Sequence, residues 1–127
     1  MGGYRDLVDD IRGIVARTIP PQAAVAVVSR GDAALLDLDG RSARHFPEAR
    51  PGVYAGYHPA DSAAAVAALD EAVDGGVQFL LFPGTAYWWL DHYAGFTSHL
   101  RDHAACIWSD ACCVIYRLRP RASGAAA

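Results

Sequence analysis

The sequence predicts an α/β fold: a small Rossmann-like three-layer sandwich, with a mainly parallel sheet of four or five strands and a C-terminal antiparallel hairpin. Three observations predict it. Apolar runs of strand length at residues 23–28 and 77–82 alternate with helical patterns, the order that builds a parallel sheet with helices on both faces. The second run, Val-Gln-Phe-Leu-Leu-Phe, follows Gly75-Gly76 and stops at Pro83-Gly84, as a buried strand entering a tight turn would. Residues 104–108 and 112–118 read as strands joined only by Ser109-Asp110-Ala111, too short a link for anything but an antiparallel pair.

The elements follow in order. Residues 4–18 form a helix, with Leu7, Ile11, Ile14 and Val15 on one face, Asp6, Asp9 and Asp10 early, Arg12 and Arg17 later, and Pro20-Pro21 as the stop. The valine-rich run 23–28 suits a strand buried on both faces. It leads through Ser29-Arg30-Gly31-Asp32 into a short helical piece at 33–38. Asp39-Gly40 marks a turn, and residues 41–46 make a short edge strand bounded by Pro47. Residues 48–60 read as a loop that carries Tyr54, Tyr57 and His58; it either packs on the body or lines a cleft. Asp61 or Ser62 caps the next helix, which runs to about Asp74 with Val66, Leu69 and Val73 as its stripe. After the central strand, helices are expected at 86–92, with Thr85 as cap, and at 96–103. Residues 119–127 form a tail. The whole chain, 1–127, reads as one domain.

Composition excludes several classes. Apolar residues make up 53% and charged residues 20% of the 127, an ordinary globular balance. The net charge is -3, and the 11 basic residues, all Arg, form no cluster, so no nucleic-acid partner is expected. No apolar run is long enough to span a bilayer, and the first residues lack the core of a signal peptide, so a cytoplasmic protein with no membrane partner is expected. Cys106, Cys112 and Cys113 cannot all pair and match no zinc spacing; they read as small reduced strand residues. No cofactor fingerprint is present, since Gly31 stands alone where the dinucleotide motif needs three glycines. His99 and His103 have metal-sharing spacing, but the intervening Leu-Arg-Asp lacks the glutamate of a His-Glu-x-x-His site, so no metal is expected.

In open α/β sheets, ligands bind beyond the carboxyl ends of the strands. Three turns are expected to meet there: Ser29-Arg30-Gly31-Asp32, the Tyr57-to-Ser62 approach to a helix, and Phe82-Pro83-Gly84-Thr85. Helix starts at Ser62 and Thr85 would offer N–H groups, and Arg30 a positive charge, to a phosphate, sulfate or carboxylate. Trp88 and Trp89, with Tyr87, could stack a flat ring or sugar face. Adjacent tryptophans diverge by about 100° on a helix, however, so at least one belongs to the core; sequence leaves open which. Candidate acid–base groups are His58 or His92 with Asp61 or Asp91, and Ser29 is a further catalytic candidate. Asp91 and His92 are neighbours and face each other poorly. No Gly-x-Ser-x-Gly elbow supports a Ser-His-Asp triad.

Two segments carry a resemblance. One is Val27-Val28-Ser29-Arg30-Gly31-Asp32 with Leu35-Leu36 and His45-Phe46-Pro47. The other is Tyr54-Ala55-Gly56-Tyr57-His58-Pro59-Ala60-Asp61-Ser62 with Phe82-Pro83-Gly84-Thr85-Ala86-Tyr87-Trp88-Trp89-Leu90-Asp91-His92-Tyr93. Together, over about residues 19–118, the chain resembles a bacterial domain commonest in actinobacteria, often fused to or encoded near glycosyltransferases of surface-polysaccharide or natural-product pathways. That family carries alanine at the position of Gly84 and proline at that of Ala94. The resemblance implies activated sugars or glycan intermediates nearby and supplies no catalytic assignment. The expected function is an accessory domain of glycan or glycoside biosynthesis binding an anionic or sugar-bearing small molecule. The alternatives are a small enzyme of specialised metabolism, using the His/Asp pairs above, and an interaction module that docks a glycosyltransferase through its aromatic helix.

Overall fold

The computed structural model describes residues 4–29, 33–38, 40–46, 48–50, 53–54 and 59–119. Helix α1 (Tyr4–Thr18) forms where the pattern places it, with Val8, Ile11, Ile14 and Val15 buried. β1 (Ala24–Val27) is followed by a 3-10 turn at Ala33–Leu36 and by β2 (Ser42–His45). Residues 48–60, expected to be only loop, contain a small antiparallel pair, β3 (Glu48–Arg50) and β4 (Val53–Tyr54). Only Pro51-Gly52 separates them in sequence, the two-residue length of a hairpin connection.

Helix α2 (Ser62–Asp74) is capped by Asp61, whose carboxylate accepts from the Ala64 N–H at 2.9 Å. β5 (Phe79–Pro83) is buried along its whole length. A 3-10 turn (Gly84–Ala86) separates it from α3 (Trp88–His92), and α4 (Ala94–His103) starts two residues before its expected position. β6 (Ala104–Ser109) and β7 (Cys113–Leu118) form the expected hairpin.

The five-stranded sheet has the order β2-β1-β5-β7-β6 and is mixed, which corrects the mainly parallel expectation. β2, β1 and β5 are parallel, whereas β7 pairs antiparallel with both β5 and β6. The reason is the hairpin: its second strand, β7, inserts beside β5 and opposes β2, β1 and β5, while β6 beyond it runs in their direction. β5 is central, and β6 is an outer strand with a register shift between Cys106 and Trp108.

Alternation along the strands splits the core between the two sheet faces. Val25, Val27, Phe79, Leu81, Cys113 and Ile115 face α1 together with Leu35 and Leu38 of the first crossover. Ala26, Leu80, Phe82, Val114 and Leu118 face α2, α3 and α4 through Ala65, Leu69, Trp89, Phe96 and Leu100. Arg12 of α1 fastens the first crossover by donating to the carbonyls of Asp37 at 2.9 Å and Ala34 at 3.3 Å. The three cysteines are unbridged; Cys113 is buried, but Cys106 is exposed and so is not strand filling. Among the described residues, no helix is long and apolar enough to cross a membrane.

Candidate functional site

Because β1, β2 and β5 run parallel, their carboxyl ends share one edge. Val28-Ser29, His45-Phe46 and Pro83-Gly84 sit there, and the Val28 N–H still reaches the Leu81 carbonyl at 3.0 Å. The chain leaves β1 for β2 over the α1 face, through Leu35 and Leu38. It leaves β2 for β5 over the opposite face, through α2. β5 and β2 therefore flank β1 on either side, reached by connections on opposite faces. That reversal is a topological switch point, the kind of place where open α/β sheets take ligands.

On the α1 face of this edge, the Ser29 hydroxyl lies 2.5 Å from His45 Nδ1. Ser29 is only 3% exposed, and it stands out in the core as a buried polar residue. His45 pairs in register with Val27 and shares its face with Ala43, which packs on the α1 side. The residue reading missed His45 as a partner for Ser29, although the resemblance includes it. The available signal was positional: a histidine ending an edge strand comes level with the end of the neighbouring strand once the two are aligned in parallel.

On the other face stand α3 and the start of α2. Trp89 is the core tryptophan, 1% exposed, with its ring centroid 5.9 Å from those of Phe46 and Phe96 and 4.9 Å from that of Tyr93. Trp88 is half-buried, and the His92 ring meets it edge-on at 5.9 Å. His92 also packs edge-on against Tyr93 at 4.6 Å. Tyr93 is buried and donates to the Pro59 carbonyl at 2.6 Å; burial, then the Asp61 charge, raises its phenol. Ser62 Oγ accepts from the Gly95 N–H at 3.1 Å, and a side chain at Gly95 would meet Ser62 Cβ at 2.9 Å. The Pro59 carbonyl and Ser62 thus dock the start of α2 onto the α3–α4 junction, while Asp61 caps the helix. Asp91 and His92 are both exposed on α3.

Thr85 does not cap a helix. It lies exposed inside the 3-10 turn, and the N-cap of α3 is Tyr87, which makes no side-chain cap bond. With five residues, α3 is too short to serve as an anion site at its N-terminus. Arg30, Gly31, Asp32, Tyr57 and His58 lie outside the described residues. Of the candidates within them, the structure groups Asp61, Ser62, Trp88 and His92 on one face and places Ser29 on the other.

The tip of the β6–β7 hairpin reaches the same edge, since Cys113 pairs with Pro83. The Asp110 carboxylate accepts from the N–H groups of Cys112 at 2.7 Å and Cys113 at 3.1 Å. The Gly84 N–H donates to the Cys112 carbonyl at 2.8 Å, and the Tyr87 hydroxyl donates to the Asp110 carbonyl. Burial pushes the Cys113 thiol up to about 12, assisted by Asp110 and Cys112, so it is no thiolate nucleophile at neutral pH.

Burial, with Cys113, Asp110 and Cys112 adding to it, likewise pushes the Tyr87 phenol up from 10.0 to about 12. The folded chain holds this proton more tightly than the unfolded one. Its contribution is therefore complete below about pH 10 and lost as pH rises through about 12. Urea midpoints should fall over that window and fall less steeply in Tyr87→Phe; superimposable profiles would refute the assignment.

Among the described residues, no three His, Cys, Asp or Glu side chains gather as metal ligands, and His99 and His103 stack alone at 4.4 Å. A groove of about 590 Å³ lies at the opposite, amino edge of the sheet, lined among others by Pro21, Gln22, Val77 and Leu118. Comparison with protein-family models, with curated proteins and with solved structures returned no match for this chain.

Proposed function

We propose that the chain binds an anionic or sugar-bearing small molecule at the carboxyl edge of β1 and β5, as an accessory domain of glycan or glycoside assembly. The observation that carries this reading is the reversal of strand order about β1, since open α/β sheets take ligands at such switch points. Arg30, three residues beyond the end of β1 in the chain, supplies the charge, and half-buried Trp88 on α3 supplies a ring face. The glycan context comes from the resemblance carried by the Trp-Trp-Leu-Asp-His-Tyr string.

The acid–base alternative built on Asp61 or Asp91 gains no support, because Asp61 caps α2 and Asp91 and His92 are adjacent, exposed residues of α3.

Titration with UDP-glucose, with UDP and with free glucose tests the reading. UDP-glucose should quench tryptophan fluorescence saturably, and glucose should not. Trp88→Phe should remove most of the change, and Arg30→Ala should weaken binding about tenfold or more, the worth of one charge-assisted hydrogen bond. If neither uridine compound perturbs the protein, or Arg30→Ala leaves affinity unchanged, the reading fails.

A further inference from the structure

Two side chains on the α1 face of the carboxyl edge have a chemistry that ligand binding does not require. Ser29 Oγ and His45 Nδ1 are 2.5 Å apart, within the reach of a nucleophile and its base. His45 ends β2 and is held level with Val27 by the β1–β2 pairing, and Ser29 follows β1 by two residues, its N–H bonded back to the Val27 carbonyl at 2.8 Å, so both side chains are anchored on the end of the sheet. Ser29 is buried and His45 half-buried, so the hydroxyl is shielded from bulk water while its partner borders the surface.

We propose that Ser29 and His45 form a catalytic dyad for acyl transfer, cleaving an ester of a small carboxylic acid. With its ring proton on Nε2, His45 accepts at Nδ1. The Ser29 oxygen bonds to the ester carbonyl carbon as its proton passes to His45 Nδ1. The carbon–oxygen bond to the alcohol then breaks, and the alkoxide takes that proton, leaving an acyl-serine. Water attacks the acyl carbon and gives a proton to His45; the carboxylic acid departs, and Ser29 recovers its hydroxyl proton. The step is redox-neutral and needs only ester and water. It goes beyond ligand binding and stands independently of it, since the pair lies on the face away from Trp88.

The test treats the full chain with a fluorophosphonate probe and maps the adduct by mass spectrometry. A serine activated by a base displaces fluoride and keeps the phosphonyl group. The expected result is one adduct on Ser29, none in Ser29→Ala, and labelling slowed about 100-fold in His45→Gln, the lower end of what a positioned base contributes. Hydrolysis of p-nitrophenyl acetate should fall in parallel, with circular dichroism unchanged. Adduct mapping in the native chain decides the matter even if Ser29→Ala does not fold. An unmodified Ser29, or His45→Gln labelled at the native rate, overturns the dyad. UDP-glucose quenching without Ser29 labelling would overturn the dyad and leave the binding reading standing; labelling without quenching would do the reverse.

Discussion

Trp89→Ala should lower the unfolding free energy by about 3–5 kcal/mol, the cost of cutting a fully buried indole back to a methyl group. Trp89 joins Phe46 from the β2 end, Phe82 from β5, and Tyr93 and Phe96 from the α3–α4 junction, with centroid separations from 4.9 to 6.3 Å. These groups cannot close over the vacated volume without moving α3, so the cavity remains and its lining loses contacts. One counterweight exists. The Trp89 indole N–H is buried without an acceptor among the described residues, and an unmet donor costs about 1–3 kcal/mol. Trp89→Phe removes that donor while keeping a ring, so it should lose clearly less than Trp89→Ala. Urea unfolding of both variants, with unchanged slope, provides the measurement. Equal losses would show that the packing assignment is wrong.

The second result concerns Gly84, whose backbone donates to the Cys112 carbonyl. A Cβ built there would stand 2.9 Å from the Ala111 carbonyl oxygen, a backbone atom that cannot rotate away. Gly84→Ala should therefore cost about 1–3 kcal/mol, the usual penalty for overpacking. It should also push the hairpin tip from the start of α3, so that the Asp110 to Cys113 amide signals shift in an NMR spectrum. A variant as stable as the native chain, with unmoved amides, would contradict the close approach.

Much of this was legible from residues alone. Gly75-Gly76 and Pro83-Gly84 bracket an apolar, aromatic-rich run that reads as a buried strand, and β5 is that strand. Asp61 ahead of an alanine-rich stretch announced a capped helix, and α2 starts there. The position of β7 was hidden, because hairpin length dictates that its strands are antiparallel to each other but not which of them meets β5. His45 was hidden for a related reason: its proximity to Ser29 depends on β1–β2 register, a tertiary fact with no local signature. Thr85 misled because a threonine after Pro-Gly carries a cap's chemistry, whereas the chain makes a tight 3-10 turn first and begins α3 only at Trp88. The paired tryptophans were rightly expected to diverge; burial then assigns Trp89 to the interior and leaves Trp88 at the surface.

The place of β7 has a consequence for biosynthesis. The middle of the sheet, β5, bonds along its length to residues 113–117, the last strand in chain order. A nascent chain emerging from the ribosome thus carries β5 with one side unmatched until residues 113–117 have followed it out. Closure of the sheet accordingly waits for β7, and until then the segment 79–82 is the natural target for a chaperone.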